Sequence, residues 1–229
     1  MPDFAREAEG SGSTKFALRN RAITARQSLT EPARRAAATS IQLHLRALIS
    51  AETQRNSGQS PAGTPASPLR PAEPLTVATY VPVGREPGGS DLPEVLDALL
   101  PPGGRLLLPV LLDDGDLDWA RYEGPLSLQA GPRGLREPVG RRLGVSAIHE
   151  AALIIVPALA VDRVGMRLGR GGGSYDRALA RVDSAFIVAL LHDGELVDSV
   201  PAEEHDRSVH AAITPSGGTT LKADPDWTK

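Results

Sequence analysis

The segment Arg167-Leu168-Gly169-Arg170-Gly171-Gly172-Gly173-Ser174-Tyr175-Asp176-Arg177 places four glycines in five positions directly before a helix-like run. Glycine lets a backbone approach a ligand closely and adopt positive φ. Successive N–H groups at a helix start favour an anion, typically a phosphate, and Arg167 and Arg170 add positive charge. A dinucleotide fingerprint would need glycine at 174, which is serine, and no Gly-Lys-Ser/Thr follows the glycines as a Walker loop requires. The residues alone therefore indicate a phosphate or nucleotide loop, with a plain strand-to-helix turn as the alternative.

Three further groups could contribute. Lys15 and Arg19 stand at i and i+4, on one face of a helix; two such cations can clamp phosphates, or simply form a solvated face. Glu86 follows a strand-like run in Tyr80-Val81-Pro82-Val83-Gly84-Arg85-Glu86. A carboxylate there can accept hydrogen bonds from the amino or ring N–H groups of a substrate, or be an ordinary loop acid. Glu203-Glu204-His205-Asp206 could complete a Mg²⁺ site with Asp176, because Mg²⁺ takes one or two carboxylates beside phosphate oxygens and water; the alternative is a charged surface turn. Glu137-Pro138 reads as a turn holding a surface loop. The 229 residues contain no cysteine, which excludes disulfides, thiolate zinc sites and a cysteine nucleophile. The five histidines lack the paired spacing of a zinc site.

The elements that must position these residues follow from hydrophobic periodicity. A helix is expected from Thr14, with Phe16, Leu18, Ala22, Ile23 and Leu29 as its apolar set. Thr30-Glu31-Pro32 then caps a second helix running to about Ala51, with Ile41, Leu45, Leu48 and Ile49 on one face. Strands are expected at 75–81, 105–112, 117–122, 153–156, 185–191 and 211–214. A helix capped by Ser90-Asp91-Leu92-Pro93 runs through Leu100, and another covers Ser174 to Val182. Several strands are apolar on both faces, which predicts a single-domain α/β three-layer sandwich around a mainly parallel sheet. Ligands of such sheets bind beyond the carboxyl ends of the strands.

Residues 1–13 read as a loose tail, 14–216 as one α/β domain, and 217–229 as a second tail. Residues 53–74 are so rich in proline, serine and glycine that they read as an insertion. The net charge of −3 gives no bulk electrostatic case for nucleic acid. The longest apolar run, Ala151 to Val161, is too short to span a bilayer, and no signal-peptide core is visible. A cytoplasmic protein acting on small molecules, with no membrane partner, is the expectation.

The ordered motifs resemble the signature of the 5-formyltetrahydrofolate cyclo-ligase (5,10-methenyltetrahydrofolate synthetase) family. The resemblance rests on Leu153–Val156, Pro157 to Asp162, Gly165 and the 167–177 segment. In order around it come Lys15 and Arg19, Val81 and Glu86, Glu137-Pro138, and Pro201, Glu203, His205 and Asp206. It implies a NagB/RpiA/CoA transferase-like fold, a monomer, and an ATP- and Mg²⁺-dependent conversion of 5-formyltetrahydrofolate to 5,10-methenyltetrahydrofolate. ADP and phosphate would be the other products. ATP would contact Lys15, Phe16, Ala17, Leu18 and Arg19, and residues Arg167 to Tyr175. Folate would face Arg19, Val81, Glu86 and Arg170 to Ser174. Asp176 and Asp206 would hold Mg²⁺, and Lys15, Arg170 and Asp176 would be catalytic. The family commonly has Tyr-Tyr-Asp where this chain has Ser174-Tyr175-Asp176. A non-catalytic nucleotide- or folate-binding paralogue is the alternative that this departure keeps open.

Overall fold

A computed structural model describes residues 4–56 and 74–221 of the chain. Two helices come first, α1 (Phe4–Ser28) and α2 (Glu31–Asn56). Then follow β1 (Thr76–Ala78), α3 (Leu92–Leu99), β2 (Arg105–Leu111), β3 (Leu117–Arg121), β4 (Leu128–Ala130) and β5 (Arg136–Pro138). The second half holds β6 (Leu153–Pro157), β7 (Ala160–Asp162), β8 (Arg167–Leu168), α4 (Ser174–Leu179), β9 (Phe186–Leu190), β10 (Leu196–Val197), β11 (Ala211–Thr214) and β12 (Gly217–Thr220).

Seven strands form the central sheet in the order β12-β11-β9-β6-β1-β2-β3. The five inner strands run parallel, and an antiparallel strand closes each edge, β12 on β11 and β3 on β2. Successive side chains of a strand point to opposite faces, and the core divides accordingly. Leu153 and Ile155 of β6 pack with Val188 and Leu190 of β9 under Ile41 and Leu45 of α2 and Leu92 and Leu96 of α3. Ile154 and Val156 pack with Ile187 and Ala189 on the other face, beneath Ala178 and Leu179 of α4 and Ile148. Both faces of the sheet are thus covered, which makes the three layers the apolar strands foretell. Small sheets β10-β7-β8 and β4-β5 stand beside the large one.

The caps partly follow the sequence. The Ala33 N–H donates to Thr30 Oγ1 at the start of α2 (3.4 Å). Asp91 does not cap α3 with its side chain; its Oδ1 accepts from Gln42 Nε2 of α2 instead (2.9 Å), so it ties two helices together.

The expected tails differ from what is observed. Helix α1 begins at Phe4 rather than Thr14. Good helix formers occupy Ala5 to Glu9, and an existing helix propagates more easily than it nucleates. At the other end Gly217–Thr220 is not a tail. It pairs antiparallel with Ala211–Thr214 in register, and Leu221 beyond it is buried in the core. A tight turn at Pro215-Ser216 returns the chain, and the edge of β11 supplies the backbone partners. Of the expected insertion, 53–56 complete α2, and 57–73 lie outside the described residues.

Candidate active site

Beyond the carboxyl ends of the inner strands lies a cavity of about 670 Å³. Residues 167–176 form one wall throughout, joined by Lys15 and Arg19 from α1, Val81 and Glu86 from the loop after β1, and Asp206. Phe16, Ala17 and Leu18 are not among its lining residues. Helical spacing puts 15 and 19 on one face and turns the residues between them away. Phe16 is 64% exposed, and Leu18 packs against Leu159, Ala160, Leu168 and Val200. Of the expected 15–19 stretch, Lys15 and Arg19 are thus the residues whose side chains face the cavity.

The glycine segment is an irregular loop between β8 and α4. Gly171 has φ +100°, and a Cβ there would meet the Arg19 guanidinium at 3.5 Å. Gly173, left-handed at φ +68°, precedes α4. That helix is only six residues long, so its dipole adds little, and the loop backbone and the arginines carry the electrostatics. Arg19 Nε donates to the Gly169 carbonyl (3.0 Å), fastening α1 to the loop and leaving its terminal nitrogens without a hydrogen bond to the described residues.

Arg167 is nearly fully buried. Its Nη2 donates to Asp176 Oδ1 (2.8 Å) and its Nη1 to the Pro157 carbonyl (3.2 Å). Its role in this arrangement is to hold Asp176. The Arg207 N–H reaches the same oxygen (3.4 Å), while Asp176 Oδ2 accepts no hydrogen bond from the described residues. Arg170 differs: its side chain is exposed, and among the described residues only its Nε is engaged, with Glu86 Oε1 (3.1 Å).

Glu86 is set by its own loop. Its Oε2 accepts the Val83 N–H (2.9 Å), and the Tyr80 hydroxyl donates to the Pro87 carbonyl (2.6 Å). Burial and the Glu86 charge push the Tyr80 hydroxyl well above its usual range, so it stays a donor. The Tyr175 hydroxyl is raised for the same two reasons, against the opposing effect of Arg167. It is buried, lines the cavity and has no hydrogen-bond partner among the described residues. A buried hydroxyl without a partner is costly, so a ligand or water is its natural complement.

Lys15 donates to Asp206 Oδ2 (2.7 Å) and Glu203 Oε1 (2.9 Å). Burial alone would lower its pKa; the hydrogen bonds to Asp206 and Glu203 outweigh that and hold it above the ordinary lysine value. Burial would likewise raise Asp206, but Lys15 and the Glu203 N–H hold it below the ordinary aspartate value. The pair stays ionised across the neutral range.

No group of three or more metal-ligating side chains occurs among the described residues. Asp176 and Asp206 both line the cavity, and each has one oxygen already fixed by a cation. Two carboxylates at a phosphate site are enough for Mg²⁺, which keeps much of its water and draws other ligands from phosphate.

Glu137 corrects the surface-turn reading. It is 7% exposed, lies on β5, lines the cavity and accepts the Leu111 N–H at Oε1 (2.9 Å). Arg133 and Arg136 of the same hairpin also line it. Two strands of three residues carry no readable period, so the Glu-Pro pair was the only signal available in the sequence.

Comparisons with known proteins point to one family. Residues 68–215 match the 5-formyltetrahydrofolate cyclo-ligase family. A 5-formyltetrahydrofolate cyclo-ligase of Mycolicibacterium smegmatis is 48% identical over 149 residues, covering 62% of this chain and 75% of that protein. One from Escherichia coli is 33% identical over 133 residues, covering 56% and 73%. The solved 5,10-methenyltetrahydrofolate synthetase of Aquifex aeolicus superposes with a TM-score of 0.70 at 26% identity, covering 92% of this chain and 94% of the other. With the match extending over more than half of its length, this chain belongs to the 5-formyltetrahydrofolate cyclo-ligase family.

Proposed function

We propose that the protein converts 5-formyltetrahydrofolate to 5,10-methenyltetrahydrofolate at this cavity, with ATP and Mg²⁺, releasing ADP and phosphate. The observation that carries the reading is the convergence of Lys15, Arg19, Arg170 and the glycine backbone with Asp176, Asp206 and Glu86 on one cavity. Family membership supplies the substrate.

The formyl oxygen is amide-like, a poor nucleophile and a poor leaving group. Transfer of the γ-phosphoryl group to that oxygen makes it leave as phosphate. N10 attacks the formyl carbon, the C–O bond breaks, and the N10 proton departs to solvent. Phosphoryl transfer needs alignment and charge neutralisation more than covalent help. Lys15, steadied by two carboxylates, has a third N–H to offer the phosphates. The free ends of Arg19 and Arg170 add planar donors. Mg²⁺, held by Asp176 and Asp206, would neutralise charge on the phosphates. Glu86, with both oxygens already oriented, would accept N–H groups of the pterin, and Arg170 would link that acid to the phosphoryl position. No protein nucleophile is required.

The test is direct. Purified protein with 5-formyltetrahydrofolate, ATP and Mg²⁺ is expected to generate the near-UV absorbance of the methenyl product, and to lose it when the metal is chelated. ATP binding without product would leave a nucleotide-binding paralogue in place of the enzyme.

A further inference from the structure

A second cavity, of about 220 Å³, lies beside the catalytic one and shares only Arg26 and Leu159 with it. One wall is a face of α1, with Leu18, Arg21, Ala22 and Ala25 at helical spacing and Leu29 just beyond. Leu159, Ala160 and Val197 line it from the small sheet, together with the turn 192–195 after β9. The gap exists because small residues face it. Ala22 and Ala25 offer one side-chain carbon each, and Gly194 offers none. Gly194 is left-handed at φ +84°, which favours glycine, and a Cβ there would meet nothing within 4 Å.

Four charged side chains line this cavity. Arg26 and Glu195 are buried and satisfy each other (2.7 Å). Arg21 and Asp193 are exposed and form no ion pair with each other or with any other described residue. Asp193 Oδ1 accepts the Ser216 N–H (3.2 Å), while Arg21 has no hydrogen-bond partner among the described residues. The charges of the lining therefore cancel, with one cation and one anion unspent around apolar walls. A fatty acid would leave Asp193 unmatched, and an aliphatic amine would leave Arg21 unmatched. A small molecule carrying both a carboxylate and an ammonium group meets both. A gap of about 150 Å³ takes a benzene ring, so about 220 Å³ suits roughly nine non-hydrogen atoms.

We infer that this cavity binds a free aliphatic α-amino acid of leucine's size, its carboxylate on Arg21, its ammonium group on Asp193 and its side chain against α1. The binding does not depend on the cyclo-ligase reading; its consequence for turnover rests on that reading. The occupant bridges α1 to the turn after β9. That turn holds Arg26 through Glu195, and the Arg85 carbonyl through His192. A ligand that binds the docked helix better than a displaced one shifts the population toward the docked state. Lys15 and Arg19 then stand at the catalytic cavity for more of the time, so the amino acid activates.

Calorimetric titration with L-leucine, isocaproate and isopentylamine tests the assignment, because the last two each lack one charged group. L-leucine is expected to bind with a Kd of about 0.1–1 mM, as so few atoms allow, and each analogue at least about fivefold more weakly. Arg21→Gln should weaken L-leucine by a similar factor while melting like the wild type. Ala22→Leu, which fills the gap, should abolish binding. Saturating L-leucine should raise the wild-type melting temperature and lower the KM for ATP about fivefold. No binding of L-leucine overturns the site. Equal affinity for the three compounds leaves an apolar gap and overturns the amino-acid assignment. Loss of L-leucine binding when ATP or 5-formyltetrahydrofolate saturates the protein moves the ligand to the catalytic cavity and overturns the site as well. Binding with an unchanged KM overturns the activating role. A wild type that binds L-leucine but forms no methenyl product keeps the site and sinks the cyclo-ligase reading.

Discussion

Asp176 shows how one side chain can be both prepared and left available. Arg167 and the Arg207 N–H fix one of its oxygens, and the other has no partner among the described residues. Asp176→Ala would strand a guanidinium that is only 3% exposed, an uncompensated buried charge. Asp176→Asn is therefore the cleaner probe: it keeps an acceptor for Arg167 and removes the charge. Turnover is expected to fall about 100-fold, with an unchanged circular dichroism spectrum and a weaker response to Mg²⁺; wild-type turnover would remove Asp176 from the metal site. Ser174 lines the cavity, and the family resemblance implies a ring at this position, so Ser174→Tyr is expected to lower the folate KM or leave it unchanged, and a clear rise would refute that role. The Lys15–Asp206 pair makes a separate claim on stability. Asp206 is depressed in the folded protein, so its contribution is complete above its ordinary value of 3.8 and is lost as pH falls through the folded value. Lys15 is raised, so its contribution is complete below 10.5 and is lost only in stronger base. Between about pH 5 and 9 the melting temperature owes no slope to this pair. Below pH 4 the wild type is expected to lose more of it than Asp206→Asn does; parallel curves would show that the pair is not felt. At this scale the glycine wall was legible because it is contiguous, and Lys15 with Arg19 because helical spacing is local. Glu137 was not, since its partner Leu111 is 26 residues away.

Helix α1 carries Lys15 and Arg19, so its attachment decides whether the site exists. Arg26 forms a buried two-point pair with Glu195, Nε to Oε1 (2.7 Å) and Nη2 to Oε2 (2.8 Å), and also reaches the Ala158 carbonyl (2.5 Å). Arg85, beside Glu86, reaches the carbonyls of Arg26, Gln27 and Leu29 at the helix C-terminus, where free carbonyls and the helix dipole favour a cation. His192 Nε2 hydrogen-bonds to the Arg85 carbonyl (3.0 Å), and the Glu195 carboxylate accepts the His192 N–H (2.8 Å). The foot of α1, the Glu86 loop and the turn after β9 are thus one polar network. Breaking a buried pair from one side costs about 3–5 kcal/mol, which in a chain of this size lowers the melting temperature by roughly 6–20 °C. Glu195→Gln is expected to do so at the low end of that range and to reduce turnover through misplaced Lys15 and Arg19. Arg26→Met/Glu195→Met should recover much of the stability. If Glu195→Gln melts like the wild type, the network does not anchor the helix. The sequence marked α1 as a helix but not this anchorage, because 169 residues separate Arg26 from Glu195. Strands of two or three residues such as β7, β8 and β10 escaped for a different reason: they are shorter than the period by which a strand is recognised.

At the scale of the molecule, the parallel inner strands deliver every loop of the site to one end of the sheet. This was legible, because a strand buried on both faces is written as an unbroken apolar run, as in Leu153-Ile154-Ile155-Val156. The edges were not legible. Gly217-Gly218-Thr219-Thr220 has neither apolar character nor a side-chain pattern, and it becomes a strand because β11 offers a row of unpaired backbone groups. An open edge with Ala211, Ala212 and Ile213 on it is a template for another chain, and β12 covers it in four register pairs. Leu221 then enters the core layer shared with Ile154 and Val156, and its N–H donates to the His210 carbonyl (3.0 Å). Burying one leucine contributes about 1.5–3 kcal/mol, and the lost ladder adds to it. A chain ending at Ser216 is therefore expected to melt about 4–10 °C lower and to self-associate on size-exclusion chromatography, where the full chain elutes as a smaller species. Added salt should not reverse the association, because it is driven by backbone pairing and apolar surface rather than charge. A truncated protein that melts and elutes like the full chain would show that residues 217–229 are a dispensable tail after all.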